Sequence, residues 1–146
     1  MLIRVAADED LPEILTLYSQ LETENNQVLG IGEAKAIFDK MKQYPDYHVY
    51  VAESDGVIVG TFALVILDNI AHMGGKSGLI EDVAVSPSLQ GQGIGKRMMK
   101  FALELCKGKS CYKVCLSSNL KRQDAHKFYE GLGFKIHGYS FLVELE

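Results

Sequence analysis

Apolar residues near the amino end recur with a helical period. Leu11, Ile14, Leu15, Leu17, Tyr18 and Leu21 are spaced so that one face of an α-helix carries them. Residues 2–6 before them read as a short strand. Asp8 can cap the helix, and Pro12 is tolerated in its first turn. Ala34, Ile37, Phe38 and Met41 mark a second helix ending before Pro45, and the polar stretch 22–32 between the two reads as a loop. The pattern then turns to strands. Residues 48–53 and 57–67 flank Ser54-Asp55-Gly56, a hairpin turn signal, and residues 78–85 form a third β segment. Ile94, Met98, Phe101, Ala102 and Leu105 return to helical spacing. A strand over 111–116 and a helix over 122–130 follow, the helix ended by Gly131 and Gly133. The tail 134–145 is β-like, with a break at Gly138. There is no internal repeat and no linker. These elements predict one α/β domain over residues 1–146, and the central hairpin makes its sheet mixed, not purely parallel.

Composition narrows the functional classes. The chain has 146 residues, 47% apolar and 23% charged, with 3 Pro, an ordinary globular balance. Its formal net charge of −4 argues against nucleic acid as a partner. No apolar run is long enough for a bilayer, and no signal-peptide pattern opens the chain. The 3 cysteines are Cys106, Cys111 and Cys115. On a strand, Cys111 and Cys115 would stand roughly 13 Å apart, too far for a disulfide. No paired spacing suggests a metal site. Free thiols in the reducing cytoplasm are the simplest reading.

The richest local signal is Gln90-Gly91-Gln92-Gly93-Ile94-Gly95-Lys96, placed between a β segment and a helix. A helix start leaves N–H groups without partners and carries partial positive charge, so an anion satisfies both. Glycine admits positive φ and lets a ligand touch the main chain. The spacing is neither the dinucleotide fingerprint, because Lys96 stands where its third glycine belongs, nor the NTPase phosphate loop, because Arg97 follows Lys96 in place of Ser or Thr.

Gln90-x-x-Gly93-x-Gly95, preceded by Val83-Ala84-Val85, resembles the Q/RxxGxG/A signature of the GNAT superfamily of acetyl-CoA-dependent N-acetyltransferases. The stretch from Ala125 to Phe134, with Tyr129-Glu130 and Gly133, is similar to the late A-x-x-x-Y-E-x-x-G-F element of that family. The opening Arg4 to Leu17 resembles a GNAT start, so the likeness covers nearly the whole chain. Ile80 to Val85, Gly91-Gln92-Gly93 and Cys111-Tyr112-Lys113-Val114 are similar to glucosamine-6-phosphate N-acetyltransferases. The run Leu116 to His126 is similar to aminoalkylphosphonate N-acetyltransferases. Both motifs are compatible with shared scaffold, so neither settles the acceptor. The resemblance implies a central, mostly antiparallel twisted sheet with a parallel pair splayed at the acetyl-CoA site, flanked by about four helices.

It also implies roles. The backbone of Val83, Ala84 and Val85 would pair with the pantetheine arm like an added strand, a mode its amides permit. The N–H groups of Gly91, Gln92, Gly93, Ile94, Gly95 and Lys96 would hold the pyrophosphate, with Gln90 shaping the loop. Many family members carry Asn where this chain has Arg122, and Asn119 stands three residues earlier as a substitute. The acceptor is a primary amine. With a pKa of about 10.4, only about one amine in 10³ is neutral at pH 7, so a base is useful. Glu81 is the first candidate and Asp82 the second; as strand neighbours they should face opposite sides. His72 and His126 are weaker candidates. Tyr129 matches the family position that donates a proton to the leaving sulfur.

The resulting expectation is an acetyl-CoA-dependent N-acetyltransferase acting by direct attack of a small polar or phosphorylated amine. It would be cytoplasmic and homodimeric, with no metal, nucleic-acid or membrane partner. A protein or peptide N-acetyltransferase is the alternative. A non-catalytic acyl-CoA-binding module is a third possibility, weighed against by Tyr129 and Glu81.

Overall fold

Five strands in sequence order build the sheet, and their register places everything that follows. The computed structural model describes residues 1–21 and 27–145; part of the loop expected over 22–32 lies outside them. The chain divides into two compact units, residues 1–115 and 116–146.

The first unit holds β1 (Leu2–Val5), α1 (Leu11–Tyr18), α2 (Ile31–Met41), β2 (Tyr47–Ser54), β3 (Val57–Leu67), β4 (Lys76–Val85), α3 (Ile94–Gly108) and β5 (Cys111–Cys115). The strands lie in the order β1-β2-β3-β4-β5. Each neighbouring pair is antiparallel except β4 with β5, which is parallel. The mixed sheet with its parallel pair is therefore as the sequence reading has it.

Alternation along β2 and β3 sorts the two faces. Val49, Val51 and Ala63 pack with Leu11, Ile14 and Phe38 into a buried cluster, so α1 and α2 cover that face. Their neighbours Tyr50 and Phe62 stack at 5.1 Å, and Phe101 of α3 meets Tyr50 edge-on at 5.7 Å on the other face. Met98, Met99, Ala102 and Cys106 are the buried stripe of α3. Burying one such side chain contributes about 1.5–3 kcal/mol, which fixes both layers on the sheet.

The cap of α1 differs from expectation. Asp8 faces Lys35 and Lys42 at 2.9 and 2.7 Å. Asp10 takes the inward position instead: its carboxylate accepts the Ala7 N–H at 2.7 Å and two hydrogen bonds from Arg4 at 2.6 and 2.9 Å. Arg4 also binds Glu53. A buried carboxylate needs such partners, and the apolar face of α1 turns Asp10, not Asp8, towards them. The cysteines are free thiols. Burial, then nearby Cys111, pushes the Cys106 thiol up to about 12, which leaves it protonated.

In the second unit α4 (Gln123–Glu130) begins one residue later than expected, and Gly133 with φ 92° ends its turn. Phe134 N–H returns to the Tyr129 carbonyl at 3.1 Å. The tail is not the strand its alternation suggests: residues 135–145 hold no regular structure, and Ile136, Tyr139, Phe141 and Leu145 are exposed. A strand requires a neighbour to take its backbone hydrogen bonds, and alternation supplies only the side-chain half of that requirement.

Candidate active site

β4 changes its company halfway along. Its parallel pairing with β5 runs from Lys76↔Cys111 to Leu79↔Cys115 and stops there. From Ile80 to Val85 that edge of β4 has no strand beside it in the described sheet, while the other edge stays paired with β3 as far as Gly60↔Val85. Unpaired main-chain groups on such an edge accept an extended ligand as an added strand. Val83, Ala84 and Val85 lie in this stretch.

The same stretch contains a bulge. Thr61 pairs with Ala84 and Ala63 with Glu81, so β4 carries one more residue than β3 across this interval. Asp82 absorbs the excess with φ 52°, a left-handed conformation that Asp tolerates better than most residues. Strict alternation is lost as a result. Glu81 stands opposite Ala63 and shares its face, while Asp82 lines the cavity that Ala63 also lines. The expectation that only one of the two carboxylates faces the cleft is thus corrected: the bulge brings both to the α1–α2 side.

Both carboxyls are raised above the ordinary carboxylate range. For Asp82 the cause is burial by the apolar wall. For Glu81 it is burial first and the neighbouring Asp82 charge second. Neither has a salt-bridge or hydrogen-bond partner among the described residues. The Tyr47 hydroxyl is raised by burial, then by Asp82 and Glu81; Tyr18 is raised by burial, then by Asp82. Two tyrosines therefore flank the carboxylates. The sequence reading took Tyr18 for a packing residue on the α1 stripe and gave Tyr47 no role. A phenol interrupting an aliphatic stripe was the available signal.

β4 runs by way of Ser86 and Pro87 into the glycine loop. The Gln90 side-chain amide donates to the Val85 carbonyl at 3.3 Å, tying the loop to the strand end. Gly91 and Gly93 have φ of 79° and 83°, where an L side chain is strained, and Gly93 is the N-cap of α3. Ile94, Gly95 and Lys96 form the first turn. The first intrahelical bond of α3 is Arg97 N–H to the Gly93 carbonyl, at 3.1 Å. Among the described residues, no N–H from Gly91 to Lys96 donates to a backbone carbonyl, and no side chain caps the helix. The first turn holds no acidic residue, and Lys96 and Arg97 are exposed there. Everything in this cradle suits a diphosphate.

Asn119 and Tyr129 belong to the second unit. Asn119 Oδ1 accepts the Lys121 N–H at 2.9 Å, and the Asn119 carbonyl takes the Arg122 N–H at 3.0 Å and meets His126 Nε2 at 2.8 Å. Its side-chain oxygen is thus spent on the turn into α4. Ser118 Oγ beside it is buried with no hydrogen-bond partner among the described residues, a group the sequence reading passed over. Tyr129 packs edge-on against Phe128 and Phe134 at 5.1 and 5.8 Å. Burial raises its hydroxyl, with Arg122 opposing, and that hydroxyl has no hydrogen-bond partner among the described residues. His72 stacks on Tyr112 at 4.8 Å. No cluster of three or more metal-ligating side chains occurs among the described residues. No described helix is long and apolar enough to cross a membrane.

A free strand edge continuing into a bare helix start is an arrangement able to hold a long, diphosphate-bearing ligand by main-chain groups. The sequence model of the Acetyltransferase (GNAT) family matches residues 11–134. The chain belongs to that family and is an N-acetyltransferase. It is 34% identical to a glucosamine 6-phosphate N-acetyltransferase of Trypanosoma brucei brucei over 98% of this chain and 95% of the relative. It is 29% identical to an aminoalkylphosphonate N-acetyltransferase of Salmonella typhimurium over 98% of this chain and 90% of the relative. The crystal structure of glucosamine-6-phosphate N-acetyltransferase from Arabidopsis thaliana superimposes with a TM-score of 0.87 at 26% identity, over 99% of this chain and 98% of that one.

Proposed function

We propose that the protein transfers the acetyl group of acetyl-CoA to the nitrogen of a small primary amine by direct attack, as one domain spanning both units. The observation that carries this reading is the continuity of the unpaired β4 edge with the unpartnered N–H groups from Gly91 to Lys96. That edge offers main-chain groups from Val83, Ala84 and Val85 to the pantetheine amides. The loop offers the pyrophosphate its donors, with Lys96 and Arg97 adding charge and Gln90 holding the loop on the strand. Acetyl-CoA supplies an acyl group activated as a thioester. Ser118 Oγ, in place of the displaced family Asn, is a further hydrogen-bonding group for the donor; Asn119 is a weaker one, because its oxygen is engaged.

The reaction joins the amine nitrogen to the acyl carbon, breaks the carbon–sulfur bond and removes two protons from the ammonium nitrogen: the second, lost as the tetrahedral adduct collapses to the amide, balances the proton that the departing thiolate takes up from water, and the first must leave before attack. Glu81, supported by Asp82, takes that proton directly or through water. Raised carboxyls are stronger bases than ordinary ones, and none of their oxygens is tied to a cation. Tyr129 serves the departing thiolate. A phenol near pKa 10 is a weaker acid than a thiol near 8.5, so full transfer is uphill by about 2 kcal/mol. A hydrogen bond that strengthens as the thiolate forms fits better, and an unengaged hydroxyl is ready for it.

The exposed apolar tail supports a homodimer in which residues 136–145 find their strand partner, and sedimentation would read the dimer. Free thiols support a cytoplasmic location. The functional test is to mix the protein with acetyl-CoA and a panel of amino sugars, aminophosphonates, alkylamines, polyamines and peptides, then follow thiol release. Release that requires a small amine supports the reading. No release above the enzyme-free rate with any small amine contradicts it.

A further inference from the structure

The cavity bordered by Asp82 has walls that carry their own information. It lies between α1, α2 and the sheet, with a volume of about 410 Å³. Small-molecule sites run from about 300 to 1,000 Å³ and are mostly apolar with a few convergent polar groups. This one is lined by side chains such as Leu15, Ile37, Met41 and Tyr47, with Asp82 as the charged group on its wall. Among the described residues no Lys, Arg or His lines it.

We infer that the acceptor is a cationic primary amine carrying an uncharged alkyl or aryl body, its ammonium beside Asp82 and its hydrocarbon in the α1–α2 cavity. This rests on the acetyl-transfer reading above. Three features point the same way. Asp82 offers an ammonium a counter-charge at the cavity wall, next to the carboxylates that would deprotonate it. The aliphatic wall recovers the hydrophobic free energy of a hydrocarbon body, about fourfold in binding per buried methylene. A phosphate placed there would leave water without gaining a cation and would face the Asp82 carboxylate. The relatives named for phosphorylated or phosphonate acceptors therefore match this chain in sequence and fold, while these walls select a different acceptor body.

A matched series tests this. The kcat/KM values of propylamine, butylamine, pentylamine and hexylamine are compared with those of 3-phenylpropylamine, 3-aminopropylphosphonate and glucosamine 6-phosphate. Acetyl-CoA binding is measured separately by calorimetry. The inference predicts a rise of about fourfold per methylene until the cavity fills, and at least a tenfold preference for 3-phenylpropylamine over 3-aminopropylphosphonate. Ile37→Lys, at a half-exposed cavity position, should lower kcat/KM for hexylamine at least tenfold, narrow the gap to the phosphonate, and leave acetyl-CoA binding unchanged. A flat alkyl series, or a phosphonate or phosphorylated amine turned over better, overturns the inference while the acetyl-transfer reading stands. Failure of acetyl-CoA to bind overturns both.

Discussion

Asp10 and Asp82 are carboxylates on one protein in opposite electrostatic situations. Asp10 is buried, accepts hydrogen bonds from Arg4 and Ala7, and is held below the ordinary carboxylate range chiefly by the Arg4 hydrogen bonds. Asp82 sits on a strained left-handed residue, has no cation, and is raised by burial. The first situation locks a chain entry. The second keeps a carboxylate without a partner, which the fold would be easier without. The two carboxyls thus differ in partners and in the sign of the pKa shift, and the proposed base is the one with the raised value.

Substitutions sharpen that contrast, the largest first. Replacing both bases, Glu81→Gln with Asp82→Asn, should cut kcat at least a hundredfold at pH 7, about 2.7 kcal/mol of barrier, with no loss of melting temperature. In the parent enzyme the acid limb of the kcat/KM profile should lie above the ordinary carboxylate range, and the double variant should lose that limb. An unchanged profile would remove the pair from the chemistry.

Asp10→Asn should do the reverse. It removes the charge of one of the two carboxylate partners of Arg4, leaving Glu53, and should destabilise the fold by about 1–2 kcal/mol, less than a fully buried pair because Arg4 is 33% exposed. The turnover of folded protein should be unchanged. The pH dependence has a definite sign. Because the folded pKa of Asp10 is depressed, its contribution is present above the unfolded value near 4 and is lost as pH falls through the lower folded value. Denaturant melts between pH 6 and 2 would show the parent losing this advantage over Asp10→Asn.

Tyr129→Phe comes next. It should lower turnover about tenfold, near 1.4 kcal/mol, with acetyl-CoA affinity little changed. Equal turnover would leave Tyr129 as packing against Phe128 and Phe134. The smallest effect expected is on stability. Because the folded pKa of Asp82 is raised, its cost appears as pH climbs through the unfolded value and is full above the folded one. Asp82→Asn should therefore gain at most about 0.5 kcal/mol at pH 7, since the side chain keeps solvent contact. A clear loss of stability would mean that Asp82 holds a structural partner.

The geometry of the glycine loop was legible in the sequence because local rules govern it. Glycines before an amphipathic helix state where the backbone must turn and which N–H groups stay bare. The strands also announced themselves through alternation and Ser54-Asp55-Gly56. The side of β4 that faces the α1–α2 cavity was not legible, because it depends on pairing. The bulge at Asp82 follows from the register of β3 against β4, and nothing in Glu81-Asp82 alone says that both turn to one face. Nor did Leu11, Ile14 and Tyr18 disclose that their stripe borders a cavity as well as a core. Nor did the sequence tell that neither Asp8 nor Asp10 caps α1 with its side chain, and that Asp10 instead ties Arg4 to the Ala7 N–H ahead of the helix. The tail, read as β-like over 134–145, forms no strand in the structure: the alternation of Tyr139, Phe141, Val143 and Leu145 supplies side chains, but a strand needs a neighbour.

The central claim is that main-chain donors between β4 and α3 hold the diphosphate-bearing arm of acetyl-CoA. Isothermal titration with acetyl-CoA, and in parallel with S-acetylpantetheine, which lacks the diphosphate, tests it most directly. The account predicts saturable binding of acetyl-CoA and at least a hundredfold weaker binding of the truncated thioester. No saturation with acetyl-CoA at millimolar concentration, or equal affinity for the two, would contradict it.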